Sequence, residues 1–220
     1  MKIIPHEQGT PAWRYWRRAG IGGSDVAAIL GIAPFKDATR DNLLREKLTG
    51  QERETNYSMR RGTRLEPLAR ELYARHAGCT AVPVCVEHRD APWIRCSLDG
   101  VCNEFPRRGG SPSWVLELKC PRWEVHDLAL AGIVPEYYAV QCQWQLLCCG
   151  LDRCDFVSFT ENDRFGEADR LAVVTLRTDA EIQGRCLEAA EPFWAEVVAG
   201  REQLAAERRE RAARVEAAFA

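Results

Sequence analysis

The run SLDGVCNEFPRRGGSPSWVLELKC, residues 97–120, limits the fold more tightly than any other stretch. Two β-prone segments flank the turn-rich PRRGGSPS, which reads as an antiparallel hairpin. In WVLELKC side chains alternate, so Val115, Glu117 and Lys119 share one face while Leu116, Leu118 and Cys120 share the other, which is core. A carboxylate and an ammonium on a strand otherwise built for burial are costly unless each is paired or a metal supplies the missing charge. One account is a Glu117–Lys119 ion pair on an exposed edge. The other begins with Asp99, which ends or interrupts the first strand and would stand beside Glu117 across the hairpin. Two carboxylates at that distance repel, and a divalent cation removes the repulsion. Hard oxygen ligands with incomplete protein coordination suit Mg²⁺, leaving room for water and a substrate phosphate. The Leu118 carbonyl would supply a further oxygen. Lys119 would orient or help deprotonate an attacking water and stabilise charge developing on phosphorus.

The remaining chain supplies an α/β frame around this hairpin. GIGGSDVAAILG spells a turn and a short helix capped by Ser24 or Asp25 and ended by Gly31. A second helix is expected from about Thr39 to Leu48, closed by Gly50. A third covers Arg60 to His76, with Leu65, Leu68, Leu72 and Tyr73 at helical spacing. TAVPVCVEHR and WIRCSLDGVCNEF read as strands, RCDFVSFT and LAVVTLRT complete a mostly antiparallel sheet, and PEYYAVQCQWQLLCCG between them is an amphipathic helix. Thr178 and Glu181 form a capping-box pattern that opens a long C-terminal helical region, with Pro192 expected to break or kink it. We read residues 1–220 as one domain with a C-terminal helical extension from about 178. The Ala-, Glu- and Arg-rich tail is a solvated helix or one that packs on a partner subunit.

Composition narrows the function classes. No stretch approaches the roughly 18 apolar residues of a membrane span, and the start lacks a secretory signal, so a cytoplasmic protein is expected. The 10 cysteines then read as buried thiols, since Cys148, Cys149 and Cys154 match no paired zinc or iron–sulfur spacing. The 4 histidines form no ligand pair at helical spacing. A net charge of −2 neither supports nor excludes nucleic-acid binding, because arginine can be concentrated along one groove.

Aspartate, a gap, then Glu-x-Lys on a hairpin is the PD-(D/E)xK nuclease pattern. Together with RRAGIGGSD, RGTRLEPLARELY, IRCSLDGV, LELKCP and YYAVQCQWQL in that order, it resembles the lambda-exonuclease family, also called the YqaJ-type viral recombinases, from about Trp13 to Phe159. The resemblance implies a restriction-endonuclease-like core: a central mixed β-sheet flanked by helices. It implies that Asp99, Glu117 and the Leu118 carbonyl hold one or two Mg²⁺ ions, with Mn²⁺ able to substitute, and that Lys119 is catalytic. Gln141 matches the family's helix glutamine and shares a helix face with Tyr138 and Gln145, aimed at the hairpin. Glu66 falls where the family has a glutamate near the metals, although Thr63-x-x-Glu66 is also a capping box. Arg17, Ser24 and Ser97 match the residues that hold the 5′-phosphate of the degraded strand. Arg17 has a fork suited to phosphate, and Ser24 a helix start that favours an anion; a surface arginine and an N-cap serine are the plainer alternative. Arg18 is the neighbour to be distinguished from Arg17. Asp90 is offset by one residue from a further family aspartate.

The implied activity is Mg²⁺-dependent 5′ to 3′ exonuclease action on linear double-stranded DNA, releasing 5′-mononucleotides and leaving 3′ single strands. A ring-shaped homotrimer and a single-strand annealing protein partner are implied as well. The rival readings are a Cas4-like or helicase-associated nuclease with an iron–sulfur cluster, and a non-catalytic DNA-end-binding module on the same fold.

Overall fold

The computed structural model describes residues 1–51, 56–104 and 113–219. A mixed sheet holds six strands in the order β1 (Lys2–Ile4), β2 (Cys79–Glu87), β3 (Arg95–Glu104), β4 (Trp114–Lys119), β5 (Arg153–Phe159) and β6 (Leu171–Arg177). All neighbours are antiparallel except β4 and β5, which are parallel. A parallel step needs a crossover, and α5 (Glu124–Leu130) and α6 (Glu136–Cys149) supply it. The other helices are α1 (Pro11–Arg18), α2 (Gly23–Ile29), α3 (Arg40–Thr49), α4 (Tyr57–Ala77) and α7 (Ala180–Phe219).

Both faces of the sheet are covered. One core gathers Ile21, Val26, Leu98, Val115, Phe156, Trp144 and Phe193 under α2, α6 and α7. The other packs Leu65 and Tyr73 of α4 against Leu116, Leu118 and Val157. Strand β4 therefore has no solvent face: Leu116 and Leu118 enter the second core as expected, while Val115 and Glu117 are buried too, Glu117 at 1% exposure. This excludes the exposed-edge account of Glu117 and Lys119, since β4 lies between β3 and β5. Helix α6 is likewise buried nearly all round, including Gln141, Gln143 and Gln145, rather than amphipathic.

Several helix ends differ from their sequence signals. Helix α4 starts at Tyr57 with Asn56 as its cap, so Thr63 and Glu66 lie inside it and Thr63 Oγ1 donates to the Met59 carbonyl instead of capping. Helix α7 is capped by Asp179, whose Oδ1 accepts from the Glu181 and Ile182 amides at 3.0 Å, while Thr178 donates to the Leu151 carbonyl. It continues through Pro192, because Ala190 and Phe193 on either side are buried in the core. The cap of α2 is Gly22, whose amide donates to Asp25 Oδ2 at 2.9 Å, and Ser24 lies in the first turn. Strand β1 and helices α1 and α5 had no counterpart in the sequence reading. The PRRGGSPS turn falls, up to Pro112, outside the described residues. All 10 cysteines are free thiols, nine buried and Cys120 half-buried. Among the described residues no helix is long and apolar enough to cross a membrane.

Candidate active site

Strand β3 runs through Asp99 rather than ending there, and it does so with a defect. Opposite β2, Val82 pairs with Val101 and Val84 with Leu98, so Asp99 and Gly100 together face the single residue Pro83. This is a β-bulge, a device that re-aims a side chain. On its other side β3 pairs with β4 from Gly100 opposite Leu116 onward. Gly100 lets the strands approach closely there: a Cβ would meet Leu116 Cβ at 3.2 Å and Ala81 Cβ at 3.3 Å. The aspartate just before it reaches over to β4, where Asp99 Oδ2 accepts from the Leu118 amide at 2.7 Å.

Glu117 is held from three directions. Gln141 and Gln145, one turn apart on α6, donate from Nε2 to Glu117 Oε1 at 2.6 Å and to Oε2 at 2.5 Å respectively. Lys119 Nζ pairs with Glu117 Oε1 and sits 5.0 Å from the centroid of the Tyr138 ring. Burial, then Glu117 and next Glu66, push the Asp99 carboxyl well above the usual carboxylate range, against the pull of Lys119. Burial pulls the Lys119 ammonium down, but Glu117 and Asp99 outweigh it and hold the group above its ordinary value. Arg70 of α4 pairs with Glu66 and donates from Nε to the Asp99 carbonyl at 2.7 Å, which ties that helix to the bulge.

The N-terminal residues converge beside this cluster. A cavity of about 210 Å³ is lined by Trp13, Arg17, Ser24, Ser97, Gln141 and Gln145, among others. Arg17 Nη2 donates to Ser24 Oγ at 2.7 Å and Trp13 Nε1 donates to Ser97 Oγ at 2.6 Å. Each hydroxyl is thus engaged as an acceptor and keeps its own hydrogen for an incoming anion. Helix α2 has only seven residues, so an anion here would be met by the guanidinium and the hydroxyls more than by a helix dipole. Behind Arg17, Asp25 accepts from Lys47 Nζ at 2.7 Å and lies 3.8 Å from the guanidinium. Burial raises the Asp25 carboxyl, yet Lys47 and then Arg17 bring it below its ordinary value. Arg18 points elsewhere, donating to the Lys47 and Leu48 carbonyls at the end of α3. A larger groove of about 1170 Å³, lined by Arg14, Arg18, Glu66 and Arg70, shares Trp13 and Arg17 with the cavity.

The structure therefore brings Asp99, Glu117, Lys119 and Gln141 together, sets Glu66 against them through Arg70, and places Arg17, Ser24 and Ser97 in one adjoining cavity. Asp90 is not brought in: it stands on an exposed turn with its amide donating to His88 Nδ1. Trp13, Arg70, Lys47 and Asp25 are site residues that the sequence reading passed over. Arg70 sits four residues after Glu66 on one helix, a legible signal; Lys47 and Asp25 meet only in the folded chain. Among the described residues no three His, Cys, Asp or Glu side chains form a complete metal cage. Two crowded carboxylates, the Asp99 carboxyl pushed up by burial and by Glu117 beside it, do fit a cation that keeps part of its water shell.

The YqaJ-like viral recombinase domain matches residues 12–152. An uncharacterized protein of Acanthamoeba polyphaga mimivirus is 27% identical over 164 residues, which make up 71% of this chain and 30% of that protein. The chain thus spans under a third of the length of this curated relative. Among solved structures, an alkaline exonuclease from Laribacter hongkongensis, LHK-Exo, superposes with a TM-score of 0.74 at 27% identity, covering 91% of this chain and 99% of that one. LHK-Exo in complex with dAMP gives 0.74 at 26% identity with the same coverage. A phage related exonuclease from Haemophilus somnus 129PT superposes with a TM-score of 0.57 at 16% identity over 89% of this chain and 99% of that one, a likeness of fold.

Proposed function

This chain belongs to the YqaJ-like viral recombinase family, and from that premise we propose that it is a deoxyribonuclease that degrades linear duplex DNA from 5′-phosphorylated ends. The observation that carries this reading is a juxtaposition: a buried Glu117 flanked by Lys119, Gln141 and Asp99 adjoins a cavity furnished with Arg17, Ser24 and Ser97. Asp99, Glu117 and the Leu118 carbonyl would hold Mg²⁺, or Mn²⁺ in its place, with Glu66 as a further oxygen donor; one or two ions per site are expected. When bound there, such an ion would supply Lewis acidity toward a phosphate and acidify a water.

The chain's own residues account for the rest. Arg17 and the two serine hydroxyls grip the terminal phosphate and fix the register of the strand, which makes the first phosphodiester the one presented to the carboxylates. Lys119, at the rim of the carboxylate pair, orients the attacking water and offsets charge gathering on the phosphoryl oxygens. Gln141 holds Glu117 in place. Cleavage one nucleotide from a 5′-phosphate end yields a 5′-mononucleotide and proceeds 5′ to 3′, leaving a 3′ single strand. The complex of LHK-Exo with dAMP, a product of this class, supports that reading. A homotrimeric ring around DNA and a single-strand annealing protein that coats the exposed strand complete the proposal. Topological retention would let a protein of net charge −2 stay on its substrate without a dense set of phosphate contacts.

The test is incubation with 5′-phosphorylated and 5′-hydroxyl linear duplexes, with and without Mg²⁺, followed by sizing of the products. Mononucleotides released faster from phosphorylated ends, and only with the metal, are expected. Equal rates on both ends, or internal cuts in circular DNA, would overturn the reading.

A further inference from the structure

Gln145 stands out among the buried polar groups. At 1% exposure it is enclosed, its Nε2 donates to Glu117 Oε2 at 2.5 Å, and its amide oxygen is buried without a hydrogen-bond partner among the described residues. A buried acceptor left unpaired is costly, and a side chain kept only for packing would not carry that cost.

A carboxylate offers about four lone-pair directions, two on each oxygen. Glu117 Oε1 already receives two donors, Gln141 and Lys119. Oε2 receives one, from Gln145. One direction on Oε2 is left. We propose that Gln145 is a positioning residue: by occupying one lone pair of Glu117 Oε2 it locks the carboxylate so that the other faces the divalent ion. This rests on the assignment of Glu117 as a metal ligand. Gln141 and Lys119 cannot do the same, because both hold the other oxygen and neither occupies a lone pair of Oε2. The unpaired amide oxygen follows from the same requirement, since the amide must present its nitrogen to the carboxylate. Outer-shell donors of this kind typically change metal affinity by about 10–100-fold when removed.

The experiment is calorimetric titration of the 220-residue chain with Mn²⁺ alone, without DNA. Wild type is compared with Gln145→Met, which keeps the volume and removes the donor, and with Glu117→Gln. Circular dichroism in EDTA checks the fold. We expect Gln145→Met to weaken Mn²⁺ binding by about 10-fold or more, to lower kcat, and to leave KM for 5′-phosphorylated duplex near the wild-type value. Packing alone would move none of these. Should Gln145→Met not fold, Gln145→Asn, which withdraws the amide by one methylene, is read in the same titration. Unchanged Mn²⁺ affinity in the folded Gln145 variant, with binding lost in Glu117→Gln, overturns the positioning role and spares the metal site. Unchanged affinity in Glu117→Gln overturns both.

Discussion

Lys47→Met isolates the support beneath the cavity. Lys47 and Asp25 are 2% and 4% exposed, and their 2.7 Å contact is the shortest charged contact that Asp25 makes, Arg17 lying 3.8 Å away. Methionine fills the same space but leaves the carboxylate with the Gly22 amide and that distant guanidinium. Breaking a buried pair by removing one partner costs about 3–5 kcal/mol. A domain of this size shifts by roughly 2–4 °C per kcal/mol, so the melting temperature should fall by about 6–20 °C. The loss depends on pH. In wild type the Asp25 carboxyl lies below its ordinary value, so its contribution is complete above about pH 4, where the unfolded group ionises, and fades only as pH falls through the lower folded value. Without Lys47 burial dominates and the folded carboxyl rises. The deficit is then full at neutral pH and shrinks as acid protonates the group. Calorimetric melts of Lys47→Met between pH 8 and 5, beside the double variant Asp25→Asn/Lys47→Met, measure this. The double variant should recover more than half of the loss, because no buried charge is stranded. A Lys47→Met deficit under about 1 kcal/mol, or a double variant no better than the single one, would refute the claim that the pair is a tightly coupled unit.

Three further outcomes are expected. Lys119→Ala should lower kcat by about 100-fold or more while duplex affinity measured in EDTA stays within a few-fold, and parallel loss of both would assign the lysine to binding. Arg17→Ala should reduce the preference for 5′-phosphorylated over 5′-hydroxyl ends by roughly 10–100-fold, the scale of one charge-assisted hydrogen bond, read from kcat/KM on the two substrates. Tyr73→Phe removes a hydroxyl that donates to Asp155 Oδ2 at 2.5 Å and accepts from Trp114 Nε1 at 2.7 Å. It should cost about 1–3 kcal/mol in urea melts without altering end preference, and an altered preference would connect that network to the site.

What could be read in advance follows from how local each signal is. Helices α3, α4 and α6 announced themselves by periodicity or caps and by glycines past their ends, Gly50, Gly78 and Gly150, all three of which adopt left-handed backbone. Strands β2 to β6 showed as short β-branched and aromatic runs between turns. Strand β1 has three residues and no flanking turn pattern, and only pairing with β2 makes it a strand. Thr10 and Pro11 form a good start for α1, a cap signal that stands in the sequence itself. At the candidate site, the Asp99, Glu117 and Lys119 grouping was legible from motif and spacing, and Gln141 only through the family resemblance. The bulge at Asp99 was not, since it depends on the partner strand supplying one residue where β3 supplies two. Nor was the Asp25–Lys47 pair, which links residues 22 positions apart in the chain. Glu66 is ambiguous in the sequence, and the start of α4 at Tyr57 removes the capping alternative.

The parallel step from β4 to β5 dictates an order of assembly. Both acids have been polymerised by position 117, yet the amides that steady the second arrive on a crossover helix that ends only at Cys149. A ribosome-bound fragment therefore carries its acids without those amides, and the buried carboxylate cluster comes into being only when the crossover closes over the sheet. Synthesis and competence are separated by topology.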